Sequence, residues 1–234
     1  MQNIREAIQR IPTRLNNIST STLQTFGNDR IVQIVAIRTP LSAKLNKMMN
    51  LISFGRFEEI KQKFNRPVLY HTSLLLTLDS GNKIIFEKLE VVHIAPYVGE
   101  YDTSEDEKMN VPVTQNLTLN EFVTNTMNYM GKERFYDYDG MGADEINNCQ
   151  KFCMSALKAN NLLTEPIKQF LDQNLEEMMN YIKKSSISYM PKIVKTITDT
   201  SSKFSRLIGK GAYSNDRNLK LYEYYLAQNQ FKFI

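Results

Sequence analysis

The first half of the chain alternates short apolar runs with polar turns, in a pattern that predicts β-strands. β-branched and large apolar residues occur in runs of about five to ten, as expected for strands that are buried on one or both faces. Asp79-Ser80-Gly81-Asn82 separates two of these runs and is typical of a hairpin turn. We therefore predict a small antiparallel sheet with strands at residues 31–37, 68–78, 83–88 and 90–95.

Apolar residues at helical spacing predict three helices before residue 160. The first covers residues 41–53, and the second covers residues 119–130 with Asn120 as its predicted N-cap. The third begins near Cys149 and runs to about Ala159, with one apolar stripe directed inward. These helices and the strands together indicate an α+β fold.

Three segments are predicted to contain linkers or loops. Residues 1–28 are predicted to be a short helix followed by a linker rich in Ser, Thr and Asn. Residues 100–110 are acidic and polar, which predicts a loop. The acidic, glycine-containing segment 137–148 is predicted to be a loop that leads into the helix beginning near Cys149.

The last third of the chain carries helical periodicity to its end. Thr164 is a predicted N-cap, and Pro166 lies in the first turn of a helix that runs to residue 184. A second helix is predicted after Pro191, and the tail from Leu219 is rich in tyrosine and phenylalanine. We expect these helices to form an extension that packs on the core or on a partner.

The predicted architecture is an α+β fold in which a small antiparallel sheet packs on the helix carrying Cys149, with a C-terminal helical extension. Three regions are predicted. Residues 1–29 form an N-terminal helix and linker, residues 30–163 form the core, and residues 164–234 form a basic helical extension.

Charge is distributed unevenly along the chain. The formal net charge is +4, from 29 Lys and Arg against 25 Asp and Glu. From residue 151 onward there are 13 basic and 7 acidic residues, a balance of +6, which leaves 16 against 18, or −2, before it. A basic C-terminal region predicts an anionic or protein partner for residues 164–234, although solvated helix faces would give the same balance.

Composition predicts an intracellular protein. The sequence contains no apolar run long enough to span a bilayer, and its first residues lack the layout of a signal peptide. Its two cysteines are four residues apart, which does not make a disulfide framework and favours a reducing compartment. No transmembrane segment is therefore expected.

Cys149 is the candidate nucleophile. A thiol at the N-terminus of a helix lies at the positive end of the helix dipole, which favours the reactive thiolate. His71, on a predicted strand, is the candidate base, and Glu87 lies on the next strand across the predicted hairpin. Cross-strand neighbours on one face are close together, so Glu87 can orient the imidazole of His71 in a triad-like arrangement.

The order of these residues resembles that of a known group of enzymes. A His on a strand, an acidic residue on the next strand and Asn-Cys at a helix start is the order of circularly permuted papain-like thiol enzymes. Here the matching segments are Tyr70-His71-Thr72-Ser73-Leu74-Leu75-Leu76, Ile85-Phe86-Glu87-Lys88 and Asn147-Asn148-Cys149-Gln150-Lys151-Phe152. The group includes the lecithin retinol acyltransferase-like and permuted NlpC-like families.

The resemblance covers roughly residues 30–165 and implies peptidase, amidase or acyltransferase chemistry on a peptide or acyl substrate. It implies Cys149 as nucleophile, His71 as proton carrier and Glu87 as orienting residue, without choosing among the reactions. Adenovirus-type and SUMO-protease-type enzymes share the His–acid–Cys order, but their Cys-Gly pair is absent because Gln150 follows Cys149. Similar permuted domains occur in large DNA viruses, which would place the protein in the host cytoplasm or the virion.

Other readings of the same residues remain open. Asn148 is a secondary candidate as an oxyanion donor, and His93 is either an edge-strand residue or an alternative third member of the site. Cys153 is expected to be a buried apolar residue, and His71 could be a hydrogen-bonded core histidine. Neither a metal nor a cofactor is expected, because two histidines 22 residues apart lack zinc-ligand spacing.

Two further functions compete with a soluble thiol enzyme. The chain could be a non-catalytic virion or scaffold protein that uses the same fold for binding, with its basic helices as contact surface. It could also be a membrane-associated lipid acyltransferase, but families of that kind often carry a hydrophobic anchor and none is visible in the sequence. Thiol reactivity at Cys149 discriminates between an enzyme and a binding module.

Overall fold

The protein has an α+β fold built on a five-stranded antiparallel sheet. A computed structural model describes residues 15–40, 56–64, 68–88, 91–97, 106–136 and 148–173, together with residues 177 and 181. The strands are β1 (Ile31–Pro40), β2 (Tyr70–Leu78), β3 (Lys83–Lys88), β4 (Val92–Pro96) and β5 (Glu107–Val111), and they lie in the order β4-β3-β2-β1-β5. All four pairings are antiparallel.

Four of these strands lie where the apolar runs predicted strands, and the fifth, β5, was not predicted. The hairpin between β2 and β3 forms at the predicted turn, where Gly81 has a φ of 83° that side-chain-bearing residues rarely adopt. The segment 100–110 was predicted to be a loop, but β5 begins at Glu107 and pairs with β1. Its side chains alternate between exposed and partly buried positions because it is an edge strand.

Six helices are described around this sheet. They are α1 (Asn17–Phe26), α2 (Arg56–Lys63), α3 (Leu119–Met130), α4 (Lys132–Tyr136), α5 (Cys149–Ala159) and α6 (Glu165–Leu171). The prediction of a linker before residue 28 is wrong, because α1 forms there and buries Leu23 and Phe26. The predicted N-cap of α3, Asn120, is also wrong: Thr118 is the N-cap, and it forms a reciprocal capping box with Glu121.

The core lies between the sheet and the helices α1, α3, α5 and α6. One face of the sheet presents alternate residues such as Leu74, Phe86 and Ile94, all without solvent exposure. Phe152 of α5 stacks on Phe86, with 4.9 Å between ring centroids, so the Cys149 helix packs directly on the sheet as predicted. This packing fixes the height and rotation of the helix relative to β2 and β3.

The core continues beyond the predicted boundary at residue 163. Ile167 and Leu171 of α6 belong to the same buried cluster. The Arg38 guanidinium of β1 lies against the rings of Tyr70 and Phe170, with its carbon 4.8 and 4.4 Å from the centroids. Helix α6 therefore packs on the sheet and is not separate from it.

Other parts of the predicted extension lie outside the described residues. The helix predicted to run to residue 184 is interrupted after Leu171, because Asp172 has extended backbone angles, and Glu177 and Tyr181 are helical again. The helix predicted after Pro191, the aromatic tail from Leu219, and the helices predicted for residues 41–53 and for the start of the chain all fall outside the description. In the part of the chain that is described, no helix is both long and apolar enough to cross a membrane.

The free edge of β4 is covered by α1. The Ser19 hydroxyl accepts a hydrogen bond from the backbone N–H of Ile94 at 2.9 Å and donates to the carbonyl of Val92 at 3.4 Å. A side chain thus takes the place of a sixth strand, which satisfies backbone groups that would otherwise be unpaired. The cover also encloses the strand that carries His93.

Replacing Phe152 with alanine should strongly destabilise the fold. The side chain has no exposure and contacts the rings of Phe86 and Phe135, so its removal leaves a cavity between helix and sheet. We expect a loss of about 3–5 kcal/mol in the free energy of unfolding, measured by urea denaturation. Tyr129→Ala is the control. The Tyr129 side chain is half exposed, so its removal should lower the free energy of unfolding by less than about 1 kcal/mol. Equal losses in both variants would contradict this description of the core.

Candidate active site

Helix α5 begins at Cys149 because Asn148 caps it. The Oδ1 atom of Asn148 accepts a hydrogen bond from the backbone N–H of Lys151 at 3.0 Å. No acidic residue occupies the first turn, so no carboxylate there opposes ionisation of the thiol. Asn148 was predicted as a secondary oxyanion donor; its carbonyl oxygen acts as the helix cap, and its role toward a substrate stays a prediction.

The register of β2 and β3 brings His71 and Glu87 together. Glu87 pairs directly with Ser73, and His71 lies two residues before Ser73 on the same face of the sheet. The Nε2 atom of His71 lies 2.7 Å from Oε2 of Glu87, with the two side chains 23% and 13% exposed. The predicted contact between His71 and Glu87 is confirmed, and both side chains are largely shielded from solvent.

His93 contacts the same carboxylate. It pairs directly with Glu87 in the register of β3 and β4, and its Nδ1 atom lies 3.0 Å from Oε1 of Glu87. Its side chain is 15% exposed, although β4 is an edge strand. The sequence presented His93 and Glu87 as alternatives for one position, whereas the structure places both in contact, with each glutamate oxygen facing a different imidazole.

Cys149 forms the other contact of His71. Charge and hydrogen bonding between the thiol and the imidazole shift the pKa of each group, and because Nε2 faces Glu87, Nδ1 is the ring nitrogen left for the sulfur. Burial opposes a charged ring, but the Cys149 sulfur and then Glu87 outweigh it and raise the pKa of His71 to about 10. Burial also opposes the thiolate, yet the His71 imidazolium lowers the pKa of Cys149 below its ordinary value.

Glu87 remains ionised in this site. Burial would raise its pKa, but hydrogen bonds from His71 and His93 and their positive charges lower it from 4.5 to about 2. The electrostatics of the site therefore favour a Cys149 thiolate beside a protonated His71 and an ionised Glu87. This is the protonation pattern of an activated thiol nucleophile.

Cys153 differs sharply from Cys149. It is fully buried in the apolar core, and its Sγ donates to the carbonyl oxygen of Thr72 at 3.6 Å. Burial and the neighbouring Cys149 sulfur raise the pKa of the Cys153 thiol well above its usual value. The prediction that Cys153 is a buried apolar residue is confirmed. The buried Thr72 hydroxyl has no hydrogen-bond partner among the described residues.

Replacing Cys153 with alanine should leave the reactivity of Cys149 intact. Iodoacetamide should label Cys149 alone in the folded wild-type protein, because Cys153 is both buried and protonated. The variant should be alkylated at pH 7 within about twofold of the wild-type rate, measured by mass spectrometry of the labelled peptide. Label on Cys153 in native protein, or loss of Cys149 labelling in the variant, would show that the two thiols share the chemistry.

Sequence reasoning missed a glutamine bridge beside the site. The Gln173 side chain accepts from the Tyr70 N–H at 2.9 Å and donates to the Tyr70 carbonyl at 3.1 Å. The Gln173 N–H donates to Oε1 of Gln150 at 3.2 Å. The bridge links the residue before His71 to the residue after Cys149. Gln173 lies 103 residues from Tyr70 and 23 residues from Gln150 in the sequence, so no local motif indicates the bridge.

Comparison of the chain with protein-family models, with curated proteins and with solved structures found no match. Within the described ranges, no group of three or more His, Cys, Asp or Glu side chains is arranged to hold a metal ion. Cys149, His71, Glu87 and His93 together form the candidate active site.

Proposed function

We propose that the protein is a cysteine hydrolase, a peptidase or amidase, or an acyltransferase. The hydrogen-bonded series from Cys149 through His71 to Glu87 supports this proposal most directly. A core histidine needs one partner, whereas this imidazole lies between a thiol at a helix N-terminus and an ionised carboxylate. These are the parts of a nucleophile, a proton carrier and an orienting group.

In the proposed reaction the Cys149 thiolate attacks the carbonyl carbon of the substrate. A carbon–sulfur bond forms, and the carbonyl electron pair moves to oxygen. As that pair returns, the bond to the leaving group breaks and His71 Nδ1–H donates its proton to the departing amine or alcohol. The product of this half-reaction is a thioester on Cys149, with neutral His71 beside it.

The second half-reaction releases the acyl group. Neutral His71 takes a proton from water, the oxygen attacks the thioester carbonyl, and the carbon–sulfur bond breaks to restore the thiolate. An alcohol or amine acceptor in place of water makes the same step an acyl transfer. Glu87 stabilises the imidazolium before attack and holds the ring so that Nδ1 faces the sulfur.

The helix start supplies a donor for the oxyanion. The backbone N–H of Cys149 is at the first position of α5, where helical geometry provides no carbonyl partner within the helix. This N–H lies at the positive end of the helix dipole, which favours hydrogen bonding to the negative charge that develops on the substrate oxygen. Asn148 is the secondary candidate for a further contact.

Trapping of the acyl intermediate tests this proposal. Incubation with p-nitrophenyl acetate should release a burst of p-nitrophenol equivalent to the protein, with the acetyl group on Cys149. Cys149→Ala should abolish the burst, whereas Cys153→Ala should retain it. Partition of the acyl group between water and added amines or alcohols then separates a hydrolase from a transferase.

Alkylation of Cys149 without acylation would contradict the proposed function. If iodoacetamide alkylates Cys149 readily but activated esters leave no adduct there, the thiol is accessible and not catalytic toward carbonyls. That result would favour the alternative function, a non-catalytic virion or scaffold protein built on the same fold.

A further inference from the structure

Glu87 holds two imidazoles at once. Its Oε2 lies 2.7 Å from His71 Nε2, and its Oε1 lies 3.0 Å from His93 Nδ1. A triad-like arrangement requires only the first of these contacts, so the second has no role in the reaction proposed above. This contact nevertheless joins two residues that pair directly on neighbouring strands, and the side chains of His93 and Glu87 are only 15% and 13% exposed.

The second contact changes what the carboxylate can do. A glutamate has three side-chain torsions, and a single hydrogen bond leaves its carboxylate free to rotate about the last of them. Contacts at both oxygens fix the plane of the group and therefore the direction of the lone pair that faces His71. The backbone pairing of Glu87 with His93 sets this second contact by strand register, independently of the Cys149 helix.

We infer that His93 is a positioning residue that holds Glu87 in line with His71, extending the site to a Cys149–His71–Glu87–His93 series. His93 touches neither the sulfur nor the substrate in this scheme, and it acts through Glu87. The inference rests on the proposed function for its catalytic meaning, whereas its structural part concerns only the two histidines and the carboxylate. In metal sites, loss of a partner that orients a ligating histidine commonly costs about 10- to 100-fold in metal affinity or activity, and we expect an effect at the lower end of that range here.

Two substitutions separate positioning from general stability. His93→Asn retains an N–H donor close to the place of Nδ1, whereas His93→Leu fills the space without a donor. We expect alkylation of Cys149 at pH 6 to fall about tenfold in His93→Leu and to stay within about twofold of wild type in His93→Asn. A purely structural histidine would give two variants with similar alkylation rates after correction for folded fraction, and that result would overturn the inference.

Nitrogen-15 NMR of the wild-type protein provides a measurement that needs no variant. The chain contains two histidines, both in this site, so its imidazole spectrum reports the site alone. The inference requires Nδ1 of His93 to carry a proton throughout the pH range in which Cys149 is reactive. An unprotonated Nδ1 in that range would overturn it even if His93→Leu fails to fold.

Failure of this inference is distinguishable from failure of the proposed function. If His71 in the wild-type protein titrates near its ordinary pKa of 6.5, the thiol is not activated and the proposed function fails. If His71 stays protonated at pH 8 in wild type and in His93→Leu alike, and Cys149 reacts equally in both, the activated thiol stands and His93 has no positioning role.

Discussion

Cys149 should become an ordinary buried thiol when His71 is replaced with leucine. Burial raises the pKa of the Cys149 thiol, and the His71 imidazolium contributes most to lowering it; in the leucine variant only the smaller effect of Thr72 opposes burial. A thiol with a pKa of about 8.5 is roughly 0.3% ionised at pH 6, and the greater nucleophilicity of the more basic thiolate recovers part of that loss. We expect the rate of alkylation by iodoacetamide at pH 6 to fall by about 30- to 100-fold.

The same variant contains its own control. His71 loses its proton in the wild-type protein as the pH rises past about 10, so the two rates should converge above that pH. A His71→Leu protein that reacts at the wild-type rate at pH 6 would show that the helix N-terminus alone activates the thiol. The imidazole would then have no part in forming the nucleophile.

Replacing Glu87 with glutamine should both destabilise the fold and release His71. The carboxylate accepts hydrogen bonds from two histidines in a largely buried site, and glutamine offers one oxygen and no charge. The depression of the Glu87 pKa from 4.5 to about 2 corresponds to about 3 kcal/mol of folding free energy at neutral pH. We expect a loss of about that size in urea denaturation, together with a lower pKa for His71.

The loss should depend on pH in a defined way. A lowered carboxyl pKa stabilises the fold above about pH 4.5, and this stabilisation disappears as the pH falls toward 2. A raised imidazole pKa stabilises it below about pH 6.5 and ceases to do so as the pH rises toward 10. The stability difference between wild type and Glu87→Gln should therefore be greatest between about pH 4.5 and 6.5 and shrink on either side.

Glu107→Gln is the matched control for this experiment. Glu107 is also paired with a cation at the same end of the sheet, through Arg38, but it is 41% exposed and does not contact either histidine. Exposed pairs contribute about 0–1 kcal/mol, so this variant should lose little stability and retain the reactivity of Cys149. Similar effects in both variants would mean that Glu87 acts through general charge and not through its contacts with the histidines.

The regular part of the sheet could be predicted from the sequence because its apolar runs are local signals. β3 spans the predicted residues 83–88, and the turn at Gly81 set the register that places Glu87 beside His71. β5 was missed because its residues, Glu107–Val111, carry only an edge-strand pattern with mixed polarity. Its strand character comes from pairing with β1, which no local pattern indicates.

Helix α1 was missed for a different reason. Its sequence is rich in Ser and Thr, which are weak helix formers and frequent in linkers. Asn16 caps the helix, and the hydroxyls of Thr20, Thr22 and Thr25 donate to carbonyls one turn earlier. Packing of Leu23 and Phe26 against the core then stabilises a helix that propensity alone would not favour.

Part of the candidate site could also be predicted from the sequence, and part of it could not. The contact between His71 and Glu87 follows from strand alternation, and the position of Cys149 follows from a local helix start. The shared carboxylate of the two histidines was not predicted, because His93 and Glu87 were treated as alternatives for one position of the site. The meeting of Cys149 with His71 joins positions 78 residues apart and depends on how α5 packs across β2 and β3.

The pH profile of Cys149 alkylation in the wild-type protein tests the central claim most directly. The measurement follows iodoacetamide incorporation at Cys149 from pH 5 to pH 10, with Cys153→Ala as the background so that one thiol is counted. An ion pair between the Cys149 thiolate and the His71 imidazolium predicts a rate that is already near its plateau at pH 7. A rate that climbs through pH 8–9, as for a free thiol with a pKa of about 8.5, would contradict the account.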